Sequence, residues 1–400
     1  MRYTRVHLEA LGYELPPVVV TSDELEGRLA PMYDRLHLQT GQLEALTGVG
    51  ERRWWEEGFP LSEGAARAAR KALAQSRVLP EQVEALVYTG VCRENFEPAT
   101  ACAVAEKVGV SSDAYVYDIS NACLGVMNGI IDIANRIELK QIRAGMVVSC
   151  ESAREINEVI IDRMLGEPTM ECFTRSLATL TGGSGAAAVL LTDGSFAPAG
   201  HQRRLLGGHT KAAPEHHRLC RWGVTLTPAA VGKLMFSPER LQQTVGQLLE
   251  PHTLPEVLRD VMRDERIPTV IAKLLPSESL PKALTQFMST DSVSVLKHGV
   301  ELGVKTWGAF LKKMGWALDH VDRVICHQVG SGHQLSILRE LGIPPEKEFP
   351  TYPFLGNIGT VSLPLTAAIA EQRRFLQPGH KVGFLGIGSG LNCLMLGWEW

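Results

Sequence analysis

Cys123 lies in Tyr117-Asp118-Ile119-Ser120-Asn121-Ala122-Cys123-Leu124-Gly125. There a run of large and β-branched residues gives way to Val126, Ile130, Ile131, Ala134 and Ile137 at helical spacing. A cysteine at such a strand-to-helix junction meets unpaired backbone N–H groups and the positive end of the helix dipole, which favour thiolate over thiol. Ser120 and Asn121 read as cap formers that place the cysteine in the first turn. A thiolate attacks thioesters well, so the chemistry suggested is acyl transfer. The alternative is a buried structural cysteine, the commoner fate of an intracellular thiol.

Other segments present chemically capable side chains at strand ends or turns. Cys92-Arg93-Glu94-Asn95-Phe96-Glu97-Pro98 is a loop with Glu97 between an aromatic residue and a proline. Asp322 to Gly330 is a strand ending in a histidine, His327, with a helix from Ser331 to Leu341, and Pro353 to Thr360 is a glycine-flanked loop presenting Asn357. Val382 to Leu391 is a hairpin-like glycine-rich turn in which Ser389 stands between Gly388 and Gly390. Taken singly, a strand-end histidine is usually a satisfied polar group and a glycine-flanked asparagine usually a turn. Arg52 and Arg53, beside a glycine turn and Trp54, read either as a solvated pair or as a hold for an anion. His216, His217 and Cys220 lack a second pair of ligands, so no metal site is expected.

The elements that must position these groups alternate. Ser62–Gln75 reads as a helix with an alanine face, Ala85–Val91 as a strand, Ala99–Val108 as a helix, Met146–Cys150 as a strand, Glu155–Arg163 as helical and Ala186–Leu191 as a strand. Val18–Val20 reads as an opening extended piece. Such alternation argues for βαβ units and a sheet covered by helices on both faces. From about Gly194 to Arg221 proline, histidine, glycine and basic residues dominate, and short proline-broken helical pieces follow between Ser237 and Met288. A long helix from Val293 to Met314 restores the βα pattern to the C-terminus.

A chain of 400 residues, 45% hydrophobic and 21% charged, has room for two or three domain-sized units. A net charge of −4 without a basic stripe argues against nucleic-acid binding. Eight cysteines without a CxxC pair suit a reducing cytoplasm, and neither a signal peptide nor a membrane span is expected.

Taken in order, the cysteine at a helix start, His327-Gln328 after a strand, Gly356-Asn357 and the C-terminal glycine turn resemble the thiolase superfamily, and within it the ketoacyl-acyl-carrier-protein synthase III branch. The resemblance covers the chain except about 222–288. It implies an α/β thiolase fold: two similar βαβαβ-type halves, residues 1–195 and 196–400, forming a five-layered α-β-α-β-α core with a helical insertion at 222–288. It further implies that Cys123 takes the acyl group, that His327 and Asn357 donate hydrogen bonds to the second thioester carbonyl, and that the N–H groups of Cys123 and Ser389 form an oxyanion hole. Ser389 stands where the synthase III pattern has glycine, a small change if only its N–H acts. Glu97 falls where OleA-type acyl-CoA condensing enzymes carry a glutamate that reaches into the partner subunit's site. Glu97 is accordingly expected to be the base in a Claisen condensation of two long-chain acyl-CoAs within a cytoplasmic homodimer. Condensation by decarboxylation of a malonyl thioester and a non-catalytic thiolase-like scaffold that binds acyl chains or a partner are the alternatives. No tightly bound cofactor is implied, coenzyme A or acyl carrier protein being the substrate carrier, and a downstream pathway enzyme is a candidate partner. The tryptophan and arginine that clasp coenzyme A in many synthase III enzymes would fall near Gln42 and Leu46, so that clasp is missing.

Overall fold

The computed structural model describes residues 1–196, 203–226 and 284–400. The chain opens with strands β1 (His7–Glu14) and β2 (Val18–Thr21), then helices α1 (Ser22–Arg28), α2 (Ala30–Leu36) and α3 (Gln42–Thr47). Next come β3 (Glu51–Trp54), α4 (Leu61–Ala74), β4 (Ala85–Thr89), α5 (Thr100–Val108), β5 (Tyr115–Ile119) and α6 (Gly125–Glu138). β6 (Ala144–Glu151), α7 (Arg154–Gly166), α8 (Met170–Leu180), β7 (Gly185–Thr192), β8 (Arg203–Ala212), β9 (Cys220–Leu226) and β10 (Leu284–Thr290) follow. The chain ends with α9 (Ser292–Met314), β11 (Arg323–Cys326), α10 (Ser331–Leu341), α11 (Tyr352–Leu355), α12 (Ser362–Gln372), β12 (Lys381–Gly388) and β13 (Asn392–Glu399).

Among the described residues nine strands join in the order β11-β12-β13-β8-β1-β7-β6-β4-β5. Two half-sheets meet where His7 and Leu8 of β1 pair with Arg204 and Arg203 of β8. In the first, β5, β4 and β6 run parallel and β7 and β1 follow antiparallel. In the second, β11 and β12 run parallel while β13 and β8 follow antiparallel, and a parallel bridge from Val324 to Glu348 stands in for the outermost strand. The same pairing sequence thus occurs twice, which is the duplicated α/β architecture expected.

Among the described residues four apolar clusters form, and the three largest fill the spaces between layers. α4 and α5 cover the outer face of the first half-sheet, and α9 and α10 cover that of the second. α6 and α12 lie between the sheets in the largest cluster. Val126, Met127, Ile130, Ile133 and Ile137 of α6 are at most 1% exposed. Each such side chain contributes about 1.5–3 kcal/mol through burial, so the helix that follows the candidate nucleophile is among the best-anchored elements.

Three expectations need correction. The opening strand of the sheet is β1, whereas Val18–Val20 belongs to a separate two-stranded ribbon with β3. The stretch from Gly194 to Arg221 contains β8, which lies mid-sheet between β13 and β1, although its glycines and basic residues read as loop. Residues Trp222–Met288 form a compact unit of their own, and its described ends belong to β9 and β10, which pair with each other. Leu284–Met288 is therefore strand where helix was expected, and the helical pieces between Ser237 and Pro281 lie outside the described residues. No helix of the described residues is long and apolar enough to cross a membrane.

α4 packs on β1, β6 and β7 through Ala65, Ala68, Ala69 and Ala72, all fully buried. Contact is so close that a Cβ at Gly12 of β1 would fall 2.1 Å from the Ala68 carbonyl oxygen. Gly12→Ala is expected to destabilise the protein by about 2–3 kcal/mol. A chemical-denaturation curve checks this, and an unmoved midpoint would show that the α4–β1 contact can relax.

Candidate active site

Between β5 and α6 the chain makes one 3-10 turn, Ala122–Leu124, with Cys123 at its centre. Ala122 is left-handed at φ 44°, an arrangement that costs a non-glycine residue about 1–3 kcal/mol and persists only where its surroundings enforce it. The enforcement is visible. Asn121 does not cap the helix as its type suggested; its Nδ2 donates to Asn128 Oδ1 at 2.8 Å and its Oδ1 accepts from Asn392 Nδ2 at 3.1 Å. Asn392 opens β13, directly after the turn that carries Ser389. One asparagine side chain therefore ties the nucleophile turn to the C-terminal glycine turn. Gly388 completes the fit, since a Cβ there would lie 3.1 Å from Leu124 Cγ of the same turn.

The backbone N–H groups of Cys123 and Ser389 both face the Cys123 sulfur and favour its charged form. Burial outweighs them and, with smaller contributions from Cys220 and Glu151, pushes the thiol up to about 12. The expectation of a ready thiolate is thus corrected. α6 begins only at Gly125, and desolvation of the sulfur exceeds the pull of the amides, so the free enzyme holds a thiol.

His327 follows β11 and extends its pairing, its N–H donating to the Leu385 carbonyl of β12 at 2.9 Å. β12 also packs against the Cys123 turn, which puts His327 one strand away from the thiol. The ring is 5% exposed, and burial, aided by neighbouring His333, pulls its pKa down to about 3. At neutral pH it is an uncharged imidazole whose Nδ1 has no protein partner. Gln328, the next residue, locks the backbone here. Its Nε2 donates to Glu348 Oε1 at 2.7 Å and the Phe349 carbonyl at 2.8 Å, and its Oε1 accepts the N–H groups of Thr351 and Tyr352 at 2.7 and 2.9 Å.

Asn357 stands after the short helix α11, not within an open loop. Its N–H donates to the Thr181 carbonyl, and its own carbonyl accepts from Gly183 N–H, each at 2.9 Å. The close crossing of these two backbones requires Gly356, where φ is 65° and a Cβ would fall 2.1 Å from Thr181 O. Asn357 Oδ1 accepts the Gly359 N–H at 3.1 Å, which leaves the side-chain NH2 as the group free to donate. The next turn, Gly359–Val361, packs on the Cys123 turn, and Thr360 Oγ1 accepts the Val126 N–H of α6 at 2.7 Å. Cys123, Ser389 and the Asn357 segment thus converge, with His327 on the adjoining strand.

Glu97 does not join them within its own chain. It lies exposed on the loop between β4 and α5, next to fully exposed Phe96. The loop is nevertheless pinned. Glu151 accepts the N–H groups of Val91 and Cys92 at 3.0 and 3.1 Å, and Glu94 accepts that of Ser62 at 2.7 Å. Asp118 of β5 accepts those of Thr100 and Ala101 at 3.0 and 2.9 Å, capping α5. Glu97 is therefore presented outward from a held loop.

The remaining candidates take structural places. Arg52 is fully buried, donating to Ser22 Oγ at 3.1 Å, so it is neither solvated nor an anion hold; Arg53 donates to the Pro16 carbonyl at 3.2 Å. Leu46, where the coenzyme clasp would fall, is 55% exposed. His216 stacks on His298 with ring centroids 3.9 Å apart, and no group of three or more His, Cys, Asp or Glu suited to a metal occurs among the described residues.

Residues 45–168 match the family model for the thiolase N-terminal domain, and residues 311–400 that for the C-terminal part of 3-oxoacyl-[acyl-carrier-protein] synthase III. Fold and family models together define the class, a thiolase-superfamily acyltransferase. The chain is 52% identical over the whole of both proteins to the acyl-CoA:acyl-CoA alkyltransferase of Shewanella oneidensis, and 30% identical, again over both whole chains, to that of Xanthomonas campestris. A crystal structure of an OleA variant from X. campestris with bound lauric acid and lauroyl-CoA superposes with a TM-score of 0.80, at 29% identity and covering 100% of each chain. The chain belongs to this acyl-CoA:acyl-CoA alkyltransferase family, the OleA-type enzymes.

The raised Cys123 pKa makes a pH prediction. Below that pKa the thiolate fraction grows about tenfold per pH unit, so alkylation of Cys123 in the free enzyme is expected to keep accelerating from about pH 7 to 10. Peptide mass spectrometry after iodoacetamide pulses separates Cys123 from exposed Cys102. A rate that levels off near pH 7 would contradict the raised pKa of the thiol.

Proposed function

We propose that this enzyme joins two long-chain acyl-CoA thioesters by a Claisen condensation. The observation that carries this reading is the convergence of the Cys123 and Ser389 N–H groups on the Cys123 sulfur. Donors fixed there stabilise the oxyanion formed when the sulfur attacks an acyl thioester carbonyl. Coenzyme A leaves as its thiol, taking up the proton that Cys123 loses, and an acyl-cysteine remains. Neutral His327 and the Asn357 NH2 then donate to the carbonyl of a second acyl-CoA, lowering the cost of its enolate. Glu97 of the partner subunit removes the α-proton. The carbanion attacks the acyl-cysteine carbonyl, expels the Cys123 sulfur and leaves a β-keto acyl product. Residues 1–195 supply the nucleophile and 196–400 the histidine and asparagine. The acyl-CoA carrier follows the relatives' names and the lauroyl-CoA complex.

The homodimer is supported by two features of the first half. β5 ends the nine-stranded order, so its outer edge has no partner among the described residues, and an unpaired strand edge next to the active turn invites a second copy. Exposed Phe96 and Glu97 extend from the pinned loop between β4 and α5. All eight cysteines are free thiols, which supports a reducing cytoplasm as the setting.

Purified enzyme given a single long-chain acyl-CoA is expected to release coenzyme A and form a β-keto product, with an acyl adduct on Cys123 in the mass spectrum. Glu97→Gln should cut condensation about 100-fold or more while the adduct still forms. A strict requirement for a malonyl thioester would overturn the reading, and full condensation by Glu97→Gln would remove its base.

A further inference from the structure

Glu151, the last residue of β6, is 4% exposed and forms no ion pair among the described residues. A buried carboxyl group without a cation is costly to ionise, and burial raises the Glu151 pKa, but hydrogen bonds from backbone amides offset part of that cost. Here the donors are amides from two separate segments. Oε1 accepts the Val91 N–H and Oε2 the Cys92 N–H, at the start of the loop that carries Glu97. The Thr360 amide also faces the carboxylate, from the turn that follows Asn357. That turn rests directly on it, since a Cβ at Gly359 would lie 3.2 Å from Glu151 Cγ and 3.3 Å from Oε1. Trp55 Nε1 fixes the base of the side chain by donating to the Glu151 carbonyl at 3.1 Å.

We infer that Glu151 is a positioning residue whose single carboxylate links the Glu97 loop to the Asn357 turn, setting the carbonyl donor of its own chain's site and the base that the chain lends to the partner subunit's site. The inference rests on the roles proposed for Glu97 and Asn357. Through Thr360, whose Oγ1 accepts the Val126 N–H, the link continues to the helix behind Cys123. The first half-reaction needs only the thiol and the two amides at the Cys123 turn. The second needs Asn357 of one chain and Glu97 of the partner subunit in register with a bound acyl-CoA; a substitution of Glu151 alters both chains of a homodimer, so loss of the link falls on condensation more than on acylation. Glu151 also opposes charge on the Cys123 sulfur, which gives a readout independent of turnover.

The test uses full-length Glu151→Gln, whose NH2 would confront one of the amide donors, and Glu151→Asp, which keeps the charge but shortens the reach. For Glu151→Gln, condensation should fall at least tenfold further than acyl-adduct formation. Amide hydrogen exchange should rise in segments 91–97 and 357–361 together, and Cys123 alkylation should move to lower pH. Equal loss of both half-reactions with exchange raised across the sheets would mean a merely structural role and overturn the inference, as would an unchanged condensation rate. Should Glu151→Gln not fold, Glu151→Asp decides: reduced condensation with an unshifted alkylation profile supports the link, and full condensation with both segments protected refutes it. Glu97→Gln is assayed in parallel. If it retains condensation, the reading of Glu97 fails, whereas loss in Glu97→Gln without loss in Glu151→Gln defeats only the role given to Glu151.

Discussion

Two backbone amides from opposite halves of the chain must meet at one sulfur, and most of the surrounding structure serves that meeting. One amide belongs to Cys123, on a turn after β5; the other belongs to Ser389, on a turn after β12. Neither turn can be moved independently. The first is held in a left-handed conformation at Ala122, and the second is fixed by the antiparallel register of β12 and β13, which pairs Gly388 with Asn392. Asn121 spans the gap between them. The strain at Ala122 is sustained because α6 is buried between both half-sheets, so relaxing the turn would disturb the largest apolar cluster of the molecule. Preorganised donors of this kind stabilise developing charge without reorganisation in the reaction.

Desolvation governs the titratable groups around that point. It holds Cys123 as a thiol and His327 as a neutral imidazole, and it lifts Glu348 to about 7. A neutral histidine and an amide can both donate to a carbonyl without carrying a charge into the site. Gln328 satisfies four backbone or side-chain partners at once, which holds the chain after His327 to the segment from Glu348 to Tyr352. In the proposed reaction only the base comes from elsewhere, and its loop is held at both ends while its tip projects outward.

Much of this was legible in residue types and local order. Helix α10 was read to the residue, and α4 and α9 to within one residue at each end, because their apolar spacing acts locally, as do Gly315 and Gly342 just past α9 and α10. Cys123, His327 and Asn357 could be placed at strand ends or turns for the same reason. β1 and β8 were not legible. Both lie mid-sheet, where pairing on two sides compensates for residues such as His7, Gly12, Gly207 and Gly208 that read poorly as strand. The protonation state of Cys123 was misjudged because a helix start is visible in sequence whereas burial of the sulfur is not. Nor could sequence reveal Asn121, Gln328 or Glu151 as site residues. Their partners lie 271, 20 and 60 positions away, and only the folded chain brings them together.

The central claim, that each site unites Cys123 of one chain with Glu97 of the partner subunit, is tested most directly by complementation. Cys123→Ala and Glu97→Gln chains, each inactive in condensation alone, are co-expressed with different tags and the mixed dimer is purified through both. One of its two sites then combines an intact cysteine with an intact glutamate, so about half the wild-type condensation activity per dimer is expected. A mixed dimer no more active than its parents would contradict a shared site and return the base to the chain that carries the nucleophile.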